Sequence, residues 1–418
     1  DLGYSFSRAY IVRTGATDPN NEWVVIFGNG YESSNGEAIL YVLRASDGFL
    51  LKKIHTGVTG CNGLSSPAII DVELDGKADY AYAGDLKGNL WKFDLTDGDI
   101  SNWKVAYNDG TNPQPLFKAV YDDGVTGHNA TIQPITVQPD VIVPCESGQK
   151  GYLIIFGTGR HLGNVDTDDI SVQTIYGVWD WQNAWDDPAT PSVNEGNNKY
   201  MGSFMAPDAN GVRKLSNLNS NVATAADVSL LRQSQIFYSS VGGVDYRVLS
   251  KNTLDWFDPS SISGTGSGKH AGWYFDLPIE GERIIRDFVV RNGVLVIISS
   301  IPSTSQCASG GDSFLLEMEA CSGSRLDTIQ FDINDEQIVD SGDLINIGSE
   351  TKPIWVAPTG QRHADMMVYT PAILELQANS ALNEEKKDMK YFSTSTGQVK
   401  VVTEKAETIG MSYWRDLE

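Results

Sequence analysis

The chain has 418 residues, of which 41% are hydrophobic and 20% are charged, and its formal net charge is −23. Carboxylates in such excess repel a phosphate backbone and suit divalent cations, so nucleic acid is excluded as an expected partner. No run approaches the roughly 18 apolar residues that a membrane-spanning helix needs, so no transmembrane segment is predicted.

The first residues, Asp1 to Val12, have the character of folded-domain sequence and not of a secretory leader. We therefore expect a fragment of a longer exported protein.

Strand, turn and strand recur along the chain. Ala38 to Lys52 alternates apolar and polar residues on both sides of an Asp47-Gly48 turn, which is typical of a β-hairpin. Ala81 to Gly98 repeats the theme, with turns at Asp85 to Gly88 and at Thr96 to Gly98. Weaker copies lie at Tyr152–Leu162 with Ile175–Asp180, at Trp273–Leu277 with Val294–Ile298, at Phe314–Glu319 and at Met389–Val402.

Such hairpin units, spaced about 40 to 60 residues apart, predict the blades of a β-propeller, because stacked blades bury on each other the faces that a single blade leaves exposed. The predicted fold class is all-β: residues 1–418 form a single β-propeller domain of about seven blades with long inter-strand insertions. Asp186 to Ser267, rich in Asn, Ser and Gly and poor in period-two alternation, is where the insertions are expected. Tryptophans are predicted to fill the blade cores, namely Trp23, Trp91, Trp179, Trp181, Trp273 and Trp414.

The cysteines and histidines disfavour zinc, because no C-x-x-C spacing occurs and the five histidines are scattered. Cys307 and Cys321 bracket a short loop that contains two glycines and form a plausible disulfide in an oxidising compartment. The remaining two cysteines leave Cys61 with Cys145 as a guessed second disulfide, which no sequence pattern favours.

Several segments together resemble the PilY/PilC family, in the order in which that family has them. They are VVIFGNGYESSNGEAILYVLRASDG, NGLSSPAIIDVELDGKADYAYAGDLKGNLWKFDL, IIFGTGRHL followed by IYGVWD, GWYFDLPIEGER, and the closing SYWRDLE. The block from Leu64 to Leu95 is the most specific part, and the resemblance spans nearly the whole chain.

The resemblance implies the C-terminal propeller of a larger protein that is exported through the periplasm. It implies a location at the tip of a type IV pilus or at the outer membrane, with minor pilins and other pilus machinery as partners. Family members promote pilus extension over retraction and attach to host-cell or abiotic surfaces. Calcium (Ca²⁺) bound to the propeller controls the balance between extension and retraction in that family.

The strongest chemical pattern lies between residues 332 and 343. Oxygen donors stand at positions 1, 3, 5, 7, 9 and 12 of a loop similar to that of an EF-hand, and calcium takes about six to eight such oxygens. The predicted ligands are the side chains of Asp332, Asn334, Glu336 and Asp340, the carbonyl of Ile338, and Asp343 directly or through water. This segment also resembles the family's calcium loop, from which it departs by Glu336 at position 5 and by Gln337 where glycine is usual. The alternative is an acidic turn without metal.

A second candidate loop is Asp71, Glu73, Asp75, Lys77 and Asp79, with Gly76 at position 6. It resembles the short calcium loops between blade strands of integrin-type propellers. Acidic residues that flank a hairpin can also be purely structural, so both interpretations stay open.

No catalytic residues are predicted, and the chain is not expected to be an enzyme. The patterns G-x-S-x-G, H-E-x-x-H and G-x-x-x-x-G-K-[ST] are absent from the sequence. The segment Gly264 to Gly268 is interpreted as a flexible loop and not as a phosphate cradle. The hairpin GDLKGNLWKFDLTDG also resembles repeats of quinoprotein propellers, so a dehydrogenase with pyrroloquinoline quinone is the alternative function, beside a non-enzymatic propeller scaffold.

Overall fold

The computed structural model describes residues 1–109, 111–143, 145–146, 149–181, 201–208, 211–215, 228–257, 269–303, 310–336, 338–376 and 387–405. The closing SYWRDLE with Trp414, Cys307 and the Gly264 to Gly268 segment lie outside the described residues. In the described ranges the helices are short 3-10 turns at Pro19–Asn21, Ile100–Asn102, Asn164–Asp168 and Ser341–Asp343. None of them is long or apolar enough to cross a membrane.

The rest of the regular structure is β-strand. Up to residue 180 the strands are β1 Tyr10–Arg13, β2 Trp23–Gly28, β3 Ile39–Arg44, β4 Leu50–His55, β5 Ala68–Ile70, β6 Tyr80–Gly84, β7 Asn89–Asp94, β8 Lys104–Val105, β9 Tyr107–Asn108, β10 Pro113–Gln114, β11 Phe117–Lys118, β12 Val120–Tyr121, β13 Thr131–Ile132, β14 Asp140–Ile142, β15 Tyr152–Gly157 and β16 Thr174–Asp180. They continue with β17 Gly202–Ser203, β18 Ser229–Gln233, β19 Gln235–Val241, β20 Val244–Leu249, β21 His270–Asp276, β22 Val289–Arg291, β23 Val294–Pro302, β24 Gly311–Glu319, β25 Ile345–Asn346, β26 Trp355–Val356, β27 Gly360–His363, β28 Ala372–Leu376, β29 Lys387–Ser393 and β30 Val399–Lys405. The prediction of an all-β chain is confirmed.

Two compact units divide the chain. The first unit comprises Asp1–Arg160, Val178–Leu230 and Leu254–Gly272, and the second comprises His161–Gly177, Leu231–Thr253 and Trp273–Glu418. The extension of one propeller domain over the whole chain and the number of blades stay predictions.

The first unit contains two larger sheets, which are antiparallel except where β11 pairs in parallel with β17. One has the order β1-β2-β3-β4. In the other, β7 pairs with β6, β11 and β8, and β5 pairs with β6. Their apolar faces form one core cluster, in which Val24, Leu40, Trp91 and Phe93 are buried. Burial of this kind is the main favourable term in folding, at about 25 cal/mol per Å² of apolar surface.

The predicted hairpins of this unit are confirmed. β3 pairs antiparallel with β4 across the Asp47-Gly48 turn, where Gly48 has φ +74° and the carboxylate of Asp47 accepts the N–H of Phe49. β6 pairs antiparallel with β7 across the Asp85 to Gly88 turn. Both turns have glycine at a positive φ, which costs other residues strain.

The second unit is built on a sheet of order β19-β20-β27-β24-β23-β22, beside the three-stranded sheet β28-β29-β30. The long pair β23–β24 supplies much of its core, in which Val296, Ile298 and Leu315 are buried with Phe331 and Phe392.

Three details of the sequence prediction are wrong. Residues 229–249 lie in the predicted insertion, yet they form β18, β19 and β20, and β19 alternates between intermediate and exposed side chains. The predicted pairing of Trp273–Leu277 with Val294–Ile298 is also wrong. Val294–Ile298 lies in β23, which pairs with β22 and β24. Trp23 is 51% exposed at the start of β2, whereas the other described tryptophans of the prediction are buried.

The cysteines also differ from the sequence prediction. Cys145 and Cys321 are each disulfide-bonded, and Cys61 is an exposed free cysteine. The pairing of Cys61 with Cys145 is therefore wrong.

Candidate functional site

The 332–343 loop is closed by its last residue. The side chain of Asp343 is fully buried, its Oδ1 accepts the N–H of Ile333 at 2.8 Å, and its Oδ2 accepts the N–H of Asp340 at 2.9 Å. The predicted position-12 ligand therefore joins the two ends of the loop. Each carboxylate oxygen keeps a second lone pair, so a further role as a ligand stays a prediction.

Two other predicted ligands lie side by side. A Cβ built on Gly342 would stand 3.0 Å from Asn334 Nδ2 and 3.0 Å from Asp340 Oδ1. A larger residue at this position would therefore crowd both side chains. Asp340 Oδ1 also accepts the N–H of Gly342 at 2.7 Å and caps the 3-10 turn Ser341–Asp343. Asn334 and Asp340 thus place oxygen-bearing side chains on the same side of the loop.

The remaining predicted ligands are less closely gathered. Asn334 Oδ1 accepts the N–H of Glu336 at 3.1 Å, and Ile338 is 59% exposed. Burial raises the pKa of Tyr246, and the charges of Asp332, Asp343 and Asp335 raise it further. Tyr246 therefore experiences the negative charge of this loop.

The second candidate loop joins β5 to β6 and is organised by Asp71. Its Oδ1 accepts the N–H of Asp75 at 3.2 Å and its Oδ2 accepts that of Gly76 at 2.6 Å. Leu74 and Gly76 have φ values of +57° and +82°, which turn the chain back sharply. Each oxygen of Asp71 thus accepts one backbone N–H and, like those of Asp343, keeps a second lone pair.

Charge is unevenly distributed in this second loop. Asp79 accepts the N–H of Val72 at 2.7 Å, and burial raises its pKa, with the charges of Asp71, Glu73 and Asp75 adding to the rise. Lys77 places its ammonium 2.5 Å from Asp75 and lowers the pKa of that carboxyl. The repulsion around Asp79 favours a bound cation, and the ion pair of Lys77 competes with one.

Neither loop holds a preassembled metal centre. Among the residues that the structure describes, no three Asp, Glu, His or Cys side chains are grouped closely enough to hold a metal ion. The donors of both loops are hard oxygens, which match calcium and not zinc. Calcium would have to draw the donors together, since the loops as folded satisfy them with backbone N–H groups.

Sequence reasoning missed a buried polar centre in the first unit. Asp180 accepts hydrogen bonds from Tyr82 and Tyr107, both at 2.6 Å, and its Oδ2 lies 3.1 Å from the ammonium of Lys92. The side chains of Lys92 and Asp180 are 0% and 1% exposed, and Lys92 also lies 3.7 Å above the ring of Tyr80. The available signal was a lysine within NLWKFD, a strand whose other positions are apolar or face the core.

A second such centre is Asp85 in the β6–β7 turn. Its Oδ2 accepts from the side chains of Asn62 at 2.9 Å, Asn89 at 2.8 Å and Trp91 at 2.8 Å, and its Oδ1 accepts the backbone N–H groups of Lys87 and Asn89. Burial raises the pKa of Asp85, although these donors counteract the rise. The carboxylate thus fixes the predicted Asp85 to Gly88 turn through partners that the sequence pattern does not identify.

The second unit contains buried ion pairs of its own. Arg247 contacts Glu282 with both guanidinium nitrogens, at 2.9 and 3.1 Å, and lies 3.7 Å above the ring of Phe314. Lys390 lies 2.5 Å from Glu317, and both side chains are almost completely buried. Glu282 also accepts a hydrogen bond from the hydroxyl of Ser299, so each of these buried charges has a partner.

Comparison with known proteins identifies relatives along the whole chain. A family model described as the PilY1 beta-propeller domain matches residues 1–200. The type IV pilus biogenesis factor PilY1 of Pseudomonas aeruginosa is 29% identical over 443 residues, which cover 100% of this chain and 33% of the relative. A PilY1 homolog of Xylella fastidiosa is 31% identical over 341 residues, which cover 77% of this chain and 19% of that protein. The chain spans about a third or less of the length of these curated relatives.

A solved structure agrees with these relatives. The crystal structure of the Pseudomonas aeruginosa PilY1 C-terminal domain matches with a TM-score of 0.66 and 27% identity, covering 96% of this chain and 72% of that one. The predicted family and the predicted propeller fold are confirmed. The chain belongs to the PilY1 β-propeller family.

Proposed function

We propose that this chain is the propeller module of a type IV pilus biogenesis factor and that it acts by binding, not by catalysis. The observation that carries the proposal is the similarity of the whole chain to a protein named as such a factor. The names of the relatives are those of biogenesis factors and not of enzymes, which disfavours the dehydrogenase alternative. In this proposal the module engages minor pilins and other pilus machinery at the cell surface and favours extension over retraction. Attachment to host-cell or abiotic surfaces belongs to the same proposal.

The test uses the full-length protein in its own bacterium. Deletion of this module should reduce the number of surface pili, counted by electron microscopy, and deletion of the retraction motor should restore part of that number. Unchanged pilus numbers in the absence of the module would overturn the proposal. A dye-reduction assay with added quinone tests the alternative, and turnover there would favour a dehydrogenase.

Calcium binding by the 332–343 loop is part of the proposal. It is supported by the oxygen donors of Asp332, Asn334 and Asp340 on one loop whose ends Asp343 already joins. Calcium that binds only the folded loop stabilises the protein by mass action, by about 2.7 kcal/mol at a concentration one hundred times Kd. The 71–79 loop is the second candidate.

Thermal unfolding with and without calcium separates the two loops. Wild type should melt at a higher temperature in calcium than in magnesium of equal concentration, and Asp340→Ala should remove that rise. Glu350→Ala, which removes an exposed carboxylate of the same unit, is the matched control and should keep it. A rise that persists in Asp340→Ala and disappears in Asp71→Ala would assign calcium to the second loop, and no rise in any form would overturn calcium binding.

A further inference from the structure

A groove in the first unit has the opposite charge to the chain as a whole. It encloses about 380 Å³ and runs between β4 and the segment that contains β8, β9 and β10. Lys52, Lys53 and His55 line one wall and Lys104 lies on the other, and no Asp or Glu is among its lining residues. In a chain of net charge −23, such a surface is selective for negative partners.

The wall formed by β4 is an open strand edge. β4 pairs with β3 on one side, and among the described residues it is the terminal strand of its sheet. Thr56 donates its N–H to Ala38, and in the same antiparallel register Ile54 is opposite Leu40 and Lys52 is opposite Val42. Because alternate residues of an antiparallel strand direct their backbone groups to the same side, the backbone groups of Lys53 and His55 face away from β3.

Those outward groups have no backbone partner within the described part of the chain. The neighbouring strand β8 does not continue the sheet, since it pairs with β7. An edge of this kind is a template for a further strand, and proteins normally cover such edges or protect them with charge. Here the edge residues Lys52 to His55 also line the groove.

The cations of the groove differ in what already neutralises them. The ammonium of Lys53 lies 2.6 Å from Asp1, and His55 lies 3.0 Å from Glu37. Lys52 donates to the carbonyl oxygen of Ser101 and lies close enough to Asp99 for its charge, after the hydrogen bonds from Ser101, to help lower the pKa of that carboxyl. Lys104 is exposed on the other wall. Within the described part of the chain neither Lys52 nor Lys104 forms a direct ion pair, so both can take a carboxylate of a partner.

We propose that this groove binds an extended acidic segment of a partner protein, which adds to the edge of β4 as a further strand. Backbone hydrogen bonds to Lys53 and His55 would provide affinity for an extended conformation, and Lys52 and Lys104 would select carboxylate side chains. The inference goes beyond the proposed function, since it holds whether or not the whole protein acts on pili.

Fluorescence polarisation with a synthetic peptide tests the inference directly. The probe is a fluorescein-labelled peptide of about eight residues in which Asp alternates with Thr or Val, so that an extended conformation presents its carboxylates along one face. It should bind the wild-type chain and bind less tightly at higher salt, because both facing charges are near the surface. A peptide with Lys in place of every Asp should not bind.

Variants and a modified probe locate the binding site. The double variant Lys52→Glu/Lys104→Glu should weaken binding about tenfold or more, whereas Lys251→Glu, an exposed lysine of the second unit, should leave it unchanged. The same peptide N-methylated at alternate amides retains its charge but loses backbone donors, and it should bind markedly less tightly to the unaltered protein.

Three results would overturn the inference. Equal binding of the acidic and the basic peptide would contradict selection by charge, and full binding by the double variant would place the site elsewhere. Self-association of the chain that the double variant abolishes would assign the groove to a second copy instead of an acidic partner.

Discussion

The side chain of Asp180 shows why a buried charge can be retained in a strand-rich core. Each of its oxygens accepts a short hydrogen bond from a tyrosine, and Lys92 supplies the opposite charge. Desolvation of a carboxylate costs several kcal/mol, and only a complete set of partners offsets that cost. The same burial, together with the charge of Asp180, raises the pKa of Tyr82 well above its usual value, so this hydroxyl stays protonated and donates.

Replacement of Asp180 by Ala should therefore destabilise the protein by about 3–5 kcal/mol, because it leaves the ammonium of Lys92 buried without its counter-charge. Glu22→Ala is the control. It removes an exposed partner of Arg13, and such pairs contribute at most about 1 kcal/mol. Urea denaturation measures both, and similar losses in the two variants would contradict the assigned role of Asp180.

His363 is the second instructive residue. It is 2% exposed, its Nδ1 lies 2.8 Å from the ammonium of Lys400, and its ring is near Phe392. Burial, followed by the charge of Lys400, lowers the pKa of His363 to about 3. The ring is therefore neutral in the folded protein and accepts from Lys400 through Nδ1.

This histidine predicts an acid sensitivity. The unfolded chain protonates the ring below about pH 6.5, whereas the folded protein does so only near its pKa of about 3. Between these values the unfolded state binds more protons, so the free energy of unfolding falls as pH falls, by at most about 1.4 kcal/mol per pH unit. His363→Gln should reduce this slope in urea denaturation between about pH 7 and pH 5. Equal slopes in wild type and His363→Gln would contradict the prediction.

At the scale of elements, the β6–β7 hairpin combines a turn with a distant contact. Gly88 has φ +76°, and a Cβ there would stand 2.6 Å from the carbonyl oxygen of Ala119. Asp85 then binds the turn to Asn62 and to Trp91, which lies in the core cluster. The hairpin thus depends on a buried acceptor as well as on its own strand pairing.

Asp85→Ala should cost at least about 3 kcal/mol, because it removes the acceptor of several buried donors at once. Hydrogen exchange followed by mass spectrometry should show faster exchange in β6 and β7 than in β23 and β24. Asp47→Ala removes the acceptor of an exposed turn and is the matched control, expected to cost much less stability than Asp85→Ala. Slow exchange of β6 and β7 in Asp85→Ala would show that the turn does not need its carboxylate.

The elements that the sequence predicts are those with local signals. Asp47-Gly48 and Asp85 to Gly88 mark turns through glycine and aspartate chemistry, and the flanking strands alternate. β19 (QIFYSSV) and β20 (VDYRVL) consist largely of β-branched and aromatic residues, so a local strand signal is present. The sequence prediction misses it because the sequence on either side is rich in Asn, Ser and Gly. Lys92 could not be placed from the sequence, because its partner Asp180 lies 88 residues further along the chain.

The candidate calcium loops show the same limit. Spacing predicts the donors of the 332–343 loop, and the structure places a 3-10 turn at Ser341–Asp343 within it. Spacing alone does not show that the carboxylate of Asp343 accepts the backbone N–H groups of Ile333 and Asp340. Those hydrogen bonds depend on the folded conformation of the loop. The direction in which each side-chain oxygen of the loop points depends on its contacts in the folded protein, and the spacing of residues does not give those contacts.

At the scale of the whole molecule, the dominant electrostatic quantity is the net charge of −23. Like charges repel in the compact state and are separated on unfolding, so salt that screens them should stabilise the fold. The melting temperature should therefore rise when sodium chloride increases from about 0.05 M to about 0.5 M, where the Debye length is only a few Å. A constant or falling melting temperature would show that local ion pairs outweigh the general repulsion.

The exposed thiol of Cys61 offers a site for a label that reports on the buried contact between Asn62 and Asp85. The sulfur of Cys61 is open to solvent, while the next residue, Asn62, is fully buried and donates to Asp85. A dye coupled to that thiol through maleimide would lie one residue from a contact that holds the β6–β7 turn closed. Its fluorescence lifetime would then report, in intact protein and in real time, when that contact opens.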